Sequence, residues 1–230
     1  MDMPLLPRRR LPGLSLAALL LAAGVPARAI AASVGASSGA ASHGATPGTT
    51  AAQAAIAPIR ALDAALLAIM RAGKAASFEK RFDMLAPAVD RAFDLPHILQ
   101  VSVGPGWSGL SATLHASLLA AFRRYTVASY VDNFDGFDGQ RFEEQPATRV
   151  LTDGEQVVLT RIVARSGESH RLDYVMRKAG GVWKAVDVLA DGSISRVAVQ
   201  RSDFRRLLDQ GGASALMASL QRKTRDLSRG

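Results

Sequence analysis

Ile59, Leu62, Leu66, Ile69 and Met70 recur at three- and four-residue intervals, and the same spacing returns in Phe78, Phe82, Leu85 and Val89. Two amphipathic helices therefore open the patterned part of the chain, which starts at Ile56. Asp94 is placed as an N-cap, with Pro96 in the first turn, for a short helix that stops before Gly104-Pro105-Gly106. Trp107 sits just beyond that break. Ser111 caps a long helix toward Tyr130, whose Leu114, Leu118, Phe122 and Tyr125 form one apolar stripe.

After Asn133 the period falls to two, which predicts strands at Gln140–Gln145, Gln156–Ala164, His170–Lys178 and Val182–Leu189. Asp153-Gly154, Ser166-Gly167 and Gly180-Gly181 divide them as turns, and such short connections make an antiparallel meander. On the third strand Leu172, Tyr174 and Met176 face one way, while Arg171, Asp173, Val175 and Arg177 face the other, so the sheet has one covered side. Beyond Gly192, Ser202 caps a helix through Gln210, Gly211-Gly212 ends it, and Ala213 to about Arg225 forms the last. The order predicts an α+β fold: a four-stranded antiparallel curved sheet covered by a helical layer, with C-terminal helices.

The front of the chain reads differently. Arg8, Arg9 and Arg10 form a basic segment, Leu14 to Val25 is an apolar run, and Ala27-Arg28-Ala29 has the small-x-small form of a cleavage site. These proportions predict a secretory signal peptide over residues 1–29, cut after Ala29; the apolar run is too short for a spanning helix. Residues 30–55 are Ala, Gly, Ser and Thr with few exceptions and carry no charged or aromatic side chain, the composition of a flexible tether. Residues 56–230 remain as the folded domain, long enough for one sizeable core.

The formal net charge is +8, and residues 1–29 hold only four of the 28 Lys and Arg, so the remainder stays basic. Anionic partners follow. The positive charges are scattered, with Arg123-Arg124 and Arg205-Arg206 as the only internal Arg pairs, which speaks against nucleic acid and for anionic headgroups or an acidic protein. The absence of Cys removes disulfides, thiolate metal sites and cysteine nucleophiles, and the four His have no metal-ligand spacing. No metal or cofactor is expected. Residues 104–109 match G-x-G-x-x-G, but a helix rather than a strand precedes them, so the match is discarded as a dinucleotide fingerprint. The nearest acid–base grouping is Asp187 with Tyr174 on adjacent strands, together with His170; an isomerase or hydratase would need the carboxyl in a walled pocket. The competing reading gives Asp187 a structural role, accepting hydrogen bonds from nearby donors.

The C-terminal half carries a resemblance. Leu172-Asp173-Tyr174-Val175-Met176-Arg177-Lys178, then Gly181-Val182-Trp183-Lys184-Ala185-Val186-Asp187-Val188, Asp191-Gly192 and Gln200-Arg201-Ser202-Asp203-Phe204 follow one another as in the MlaC, or toluene-tolerance, family. Phe93-Asp94, Gly106-Trp107 and Phe122 to Tyr130 extend the likeness upstream, so it covers most of 56–225. Where the family has Gly-Val-Ser this chain has Gly192-Ser193-Ile194-Ser195, and Ala198 to Phe204 is similar to the hopanoid-associated branch called HpnM.

The resemblance implies an NTF2-like cone and a non-catalytic periplasmic carrier of phospholipid or hopanoid. Its implied partners are an inner-membrane transporter complex, ABC- or RND-linked, and an outer-membrane lipoprotein complex. A lipid with roughly 30 methylenes faces on the order of 24 kcal/mol of transfer cost in water, so a carrier must hold an apolar cavity between sheet and helices. Trp107, Leu118, Phe122, Tyr125, Leu172, Tyr174, Met176 and Trp183 are the expected lining. Arg201 and Arg205 are expected at the headgroup or at a partner. Two other functions stay open beside it: the enzyme using Asp187 and Tyr174, and a protein-binding module.

Overall fold

Alanine is the strongest helix former, and the alanines of residues 51–55 carry a helix into a segment whose composition reads as a tether. In the computed structural model, which describes residues 47–229, the first helix, α1 (Pro47–Ala72), therefore begins nine residues before Ile56. Ala52 and Ala55 are buried, so the front of α1 belongs to the folded body. The expected signal peptide and the rest of the tether lie outside the described residues.

The third and fourth helices start at the expected caps Asp94 and Ser111, and the second at Ser77, a cap the apolar spacing does not announce. Ser77 Oγ accepts from Lys80 N–H to open α2 (Phe78–Ala92), Asp94 from His97 N–H to open α3 (Leu95–Val103), and Ser111 from Leu114 N–H to open α4 (Ala112–Asn133). Gly104, at φ +74°, ends α3 in a conformation open to glycine, and a 3-10 segment over Gly104–Gly109 leads to α4. The discarded G-x-G-x-x-G run thus lies between two helices.

The sheet follows the predicted meander: β1 (Arg141–Val150), β2 (Gln156–Val163), β3 (Ser169–Ala179) and β4 (Val182–Ala190), antiparallel in chain order. A two-residue β5 (Ile194–Ser195) adds a fifth strand to the four expected, paired with Leu189 and Ala190 after the Asp191-Gly192 turn. Two residues are too few to show a period. β1 slips register between Glu144 and Thr148, and β3 and β4 slip after Val175.

The final helix, α5 (Arg196–Leu227), starts six residues ahead of the expected Ser202. Ser195 is the true cap, its Oγ accepting from Ala198 N–H at 2.9 Å, and Ser202 stands exposed inside the helix. Gly211 and Gly212 leave helical geometry, so α5 bends where the sequence reading ends one helix and starts another.

Strand pairing sorts the side chains onto two faces. Val158 opposes Tyr174 and Gln156 opposes Met176; across β3 and β4, Leu172 opposes Ala190, Tyr174 opposes Val188 and Met176 opposes Ala185. These residues share the face that the helices cover. The other face carries ion pairs, among them Glu143 with Arg161 and Arg141, whose hydrogen bonds hold that carboxyl below the ordinary carboxylate range. α1 lays Ile56, Ile59, Leu62, Leu66 and Ile69, all fully buried, against the sheet and α2. By length and composition Thr50–Ala75 could cross a membrane, but its apolar stripe is spent inside the protein. α2 packs on α1 and α4, while α5 packs on α3 and α4 and meets the sheet at β4.

Candidate functional site

The expected lining residues fall into three places. Leu172, Tyr174 and Met176 are buried together on the covered face of β3, as their alternation requires. Tyr174 packs against Phe93, which follows α2, at 6.2 Å between ring centroids, and Phe93 in turn meets Tyr130 of α4 at 5.8 Å. Trp183 is buried on β4 with Lys178 Nζ 5.5 Å from its ring centre, and its indole N–H has no partner among the described residues.

Leu118 and Phe122 are buried where α4 meets α5; the Phe122 ring stands edge-on to Phe204 at 6.2 Å. Tyr125, one turn further and half-buried, has Lys223 Nζ 5.7 Å from its ring centre. Trp107 lies apart, stacked on His115 at 4.0 Å, with its carbonyl 2.8 Å from His115 Nε2. It fastens the 3-10 segment to the start of α4. Arg201 and Arg205 are exposed on one face of α5, four residues apart.

Asp187 and Tyr174 do not form an acid–base pair. Tyr174 opposes Val188 and Asp187 opposes Val175, so the two side chains leave the sheet on opposite faces. His170 stands at the far end of β3, its Nε2 3.4 Å from Glu168. The Asp187 carboxylate is committed instead to the start of α5: it accepts from Val188 N–H at 2.7 Å and Val197 N–H at 3.1 Å, and from the Ser195 hydroxyl. This is the structural role that the sequence allows it.

One residue that the hydrophobic pattern passes over stands at the centre of the interior. Asp63 occupies the α1 stripe four residues after Ile59 and three before Leu66, is only 3% exposed, and neither of its carboxyl oxygens has a hydrogen-bond partner among the described residues. Burial, and then the charge of Glu144 on β1, pushes its pKa up to about 8. It is therefore predominantly a neutral acid at pH 7. The Tyr130 and Tyr174 phenols are also pushed up, by burial first; Asp63 adds to both shifts and Tyr130 to that of Tyr174, and both tyrosine rings pack against that of Phe93. An acid at a stripe position is the sequence signal that could have found it, because an ordinary core helix places a carboxyl on its outer face.

A family model described as MlaC protein matches residues 60–222. None of the curated proteins matches the chain. Among solved structures, the chain is similar to the phospholipid-binding protein from Ralstonia solanacearum in complex with a phospholipid, with a TM-score of 0.65 and 20% identity over 76% of this chain and 98% of that one. That likeness is one of fold: the same α+β arrangement of helices on a curved, unclosed antiparallel sheet.

Proposed function

The chain belongs to the MlaC family, and on that premise we propose that it is a carrier that takes up single lipids and hands them on without chemical change. The observation that carries this reading is the family match over 60–222, from the middle of α1 through the sheet into α5, joined to a fold shared with a protein that holds a phospholipid. The hydrocarbon lies between the covered sheet face and the α4–α5 layer, with Leu172, Tyr174 and Met176 on one side and Leu118 and Phe122 on the other. Burying its methylenes there offsets the cost they would bear in water. The polar headgroup stays toward solvent, where the exposed Arg201 and Arg205 meet it or the anionic surface that supplies it.

The place of action in this reading is the periplasm, reached after cleavage behind Ala29. The donor and acceptor are a transporter complex in one membrane and a lipoprotein complex in the other. The lipid is a phospholipid; the similarity of Ala198 to Phe204 to the hopanoid-associated branch favours a hopanoid as the second reading. Organic extraction of the purified protein followed by mass spectrometry tests both. About one equivalent of lipid per chain is expected, and its mass separates the two classes. A protein that is repeatedly empty and takes up no lipid from vesicles removes the carrier reading.

A further inference from the structure

Asp63 presents a chemical requirement that hydrocarbon does not meet. An unpartnered carboxyl in a protein interior costs several kcal/mol unless something hydrogen-bonds to it. No basic side chain pairs with it among the described residues: Arg60, on α1, is exposed and lies 3.6 Å from Glu144 of β1, the charge of Arg196 on α5 is felt at Tyr130, and neither Asp63 oxygen has a hydrogen-bond partner. The phenols of Tyr130 on α4 and Tyr174 on β3, joined through the Phe93 ring, lie within its electrostatic reach.

A neutral carboxyl offers one donor and one acceptor side by side. An ester carbonyl would satisfy only the donor, and an ammonium would satisfy only an ionised form that burial disfavours. A hydroxyl both donates and accepts. We propose that Asp63, buried with both carboxyl oxygens unpartnered among the described residues, is a polar subsite inside the lipid-binding region that takes an alcohol hydroxyl carried on the hydrocarbon part of the ligand. The site rests on the carrier reading and deepens it: it selects among lipids by a group on the apolar portion rather than by the headgroup.

The test is a competition. Delipidated full-length protein is incubated with an equimolar mixture of a phosphatidylglycerol bearing a mid-chain hydroxyl and the same lipid without it, and the bound fraction is weighed by mass spectrometry. The wild-type protein is expected to favour the hydroxylated lipid about tenfold, the worth of one well-made hydrogen bond. Asp63→Leu should bind both equally, and Asp63→Asn, which keeps a donor and an acceptor, should retain the preference. A wild-type protein that binds the plain lipid with no preference overturns the subsite and leaves the carrier reading standing, and so does a preference that survives in Asp63→Leu. Failure to bind either lipid removes both. The wild-type comparison decides even if a variant fails to fold.

Discussion

Arg123 grips Asp90 with two donors, Nε to Oδ1 at 2.7 Å and Nη2 to Oδ2 at 2.6 Å, and so ties α4 to α2. The hydrogen bond is the chief reason why the guanidinium pKa is raised. Both side chains are about two-fifths exposed, at 40% and 39%, so water and salt screen the pair and its worth is about 1 kcal/mol rather than that of a buried one. Arg123→Ala should lower the melting temperature by a few degrees, and Arg123→Lys should recover little because an ammonium cannot make the fork. Thermal melts in low and high salt check this; the wild-type advantage should shrink as salt rises.

Asp63 predicts how stability varies with pH. Its pKa is about 8 in the folded protein against an ordinary 3.8, so between those values the folded state holds a proton that the unfolded chain has released. Stability from this group is therefore complete below about pH 4 and falls as pH rises to about 8, at up to about 1.4 kcal/mol per pH unit. The charge of Glu144 on β1 helps raise the folded pKa and so extends the window upward, whereas the Tyr130 and Tyr174 phenols titrate above it. Denaturant melts from pH 4 to 9 should show this slope in the wild type and lack it in Asp63→Leu, with the two stabilities diverging most at the alkaline end.

The Asp187 carboxylate predicts a variant that injures the fold and nothing else. Asp187→Ala removes three hydrogen bonds at the junction of β4 and α5, among them the one from Val197 N–H. A loss of about 1–3 kcal/mol is expected in chemical denaturation, the range for an N-terminal cap whose partners are left unsatisfied. Lipid recovered per folded chain should not change, because this side chain leaves the sheet on the face away from Tyr174.

Arg201 and Arg205 predict the opposite pattern. Both are exposed, so Arg201→Gln with Arg205→Gln should leave the melting temperature within about a degree. Cosedimentation with anionic vesicles should weaken roughly thirtyfold, since each of the two basic residues near such a surface contributes about 1 kcal/mol. Equal binding by the double variant and the wild type would dismiss these arginines as contacts.

Much of this architecture is legible in the residue order, and each lapse has a physical origin. The meander is announced by Asp153-Gly154, Ser166-Gly167 and Gly180-Gly181, because tight hairpins need residues that accept unusual backbone angles. Periodicity identifies the apolar stripe of Leu118 and Phe122, yet it is silent about what the stripe meets; Phe204 of α5 supplies the contact from 82 residues past Phe122. The start of α5 was concealed because Arg196-Val197-Ala198-Val199 has β-prone valines at alternate positions, and the helix is held there by Asp187 across the junction. Asp63 escaped because a search for apolar spacing counts what fits the stripe and steps over what does not.

The Phe93 junction has a consequence for how the sheet meets other chains. Asp94 N–H bonds to the Ala185 carbonyl at 2.9 Å, and β5 pairs with Leu189 and Ala190, so the outer border of β4 is occupied near both points. The opposite border, β1, is interrupted by Pro146 and by its register slip, and bears Arg141 and Arg149. Neither border offers a long, flat, apolar row of free amides to a foreign strand. Concentrated solutions of the native protein are thereby guarded against edge-to-edge fibre growth, even though the lipid binding proposed for it demands a greasy interior.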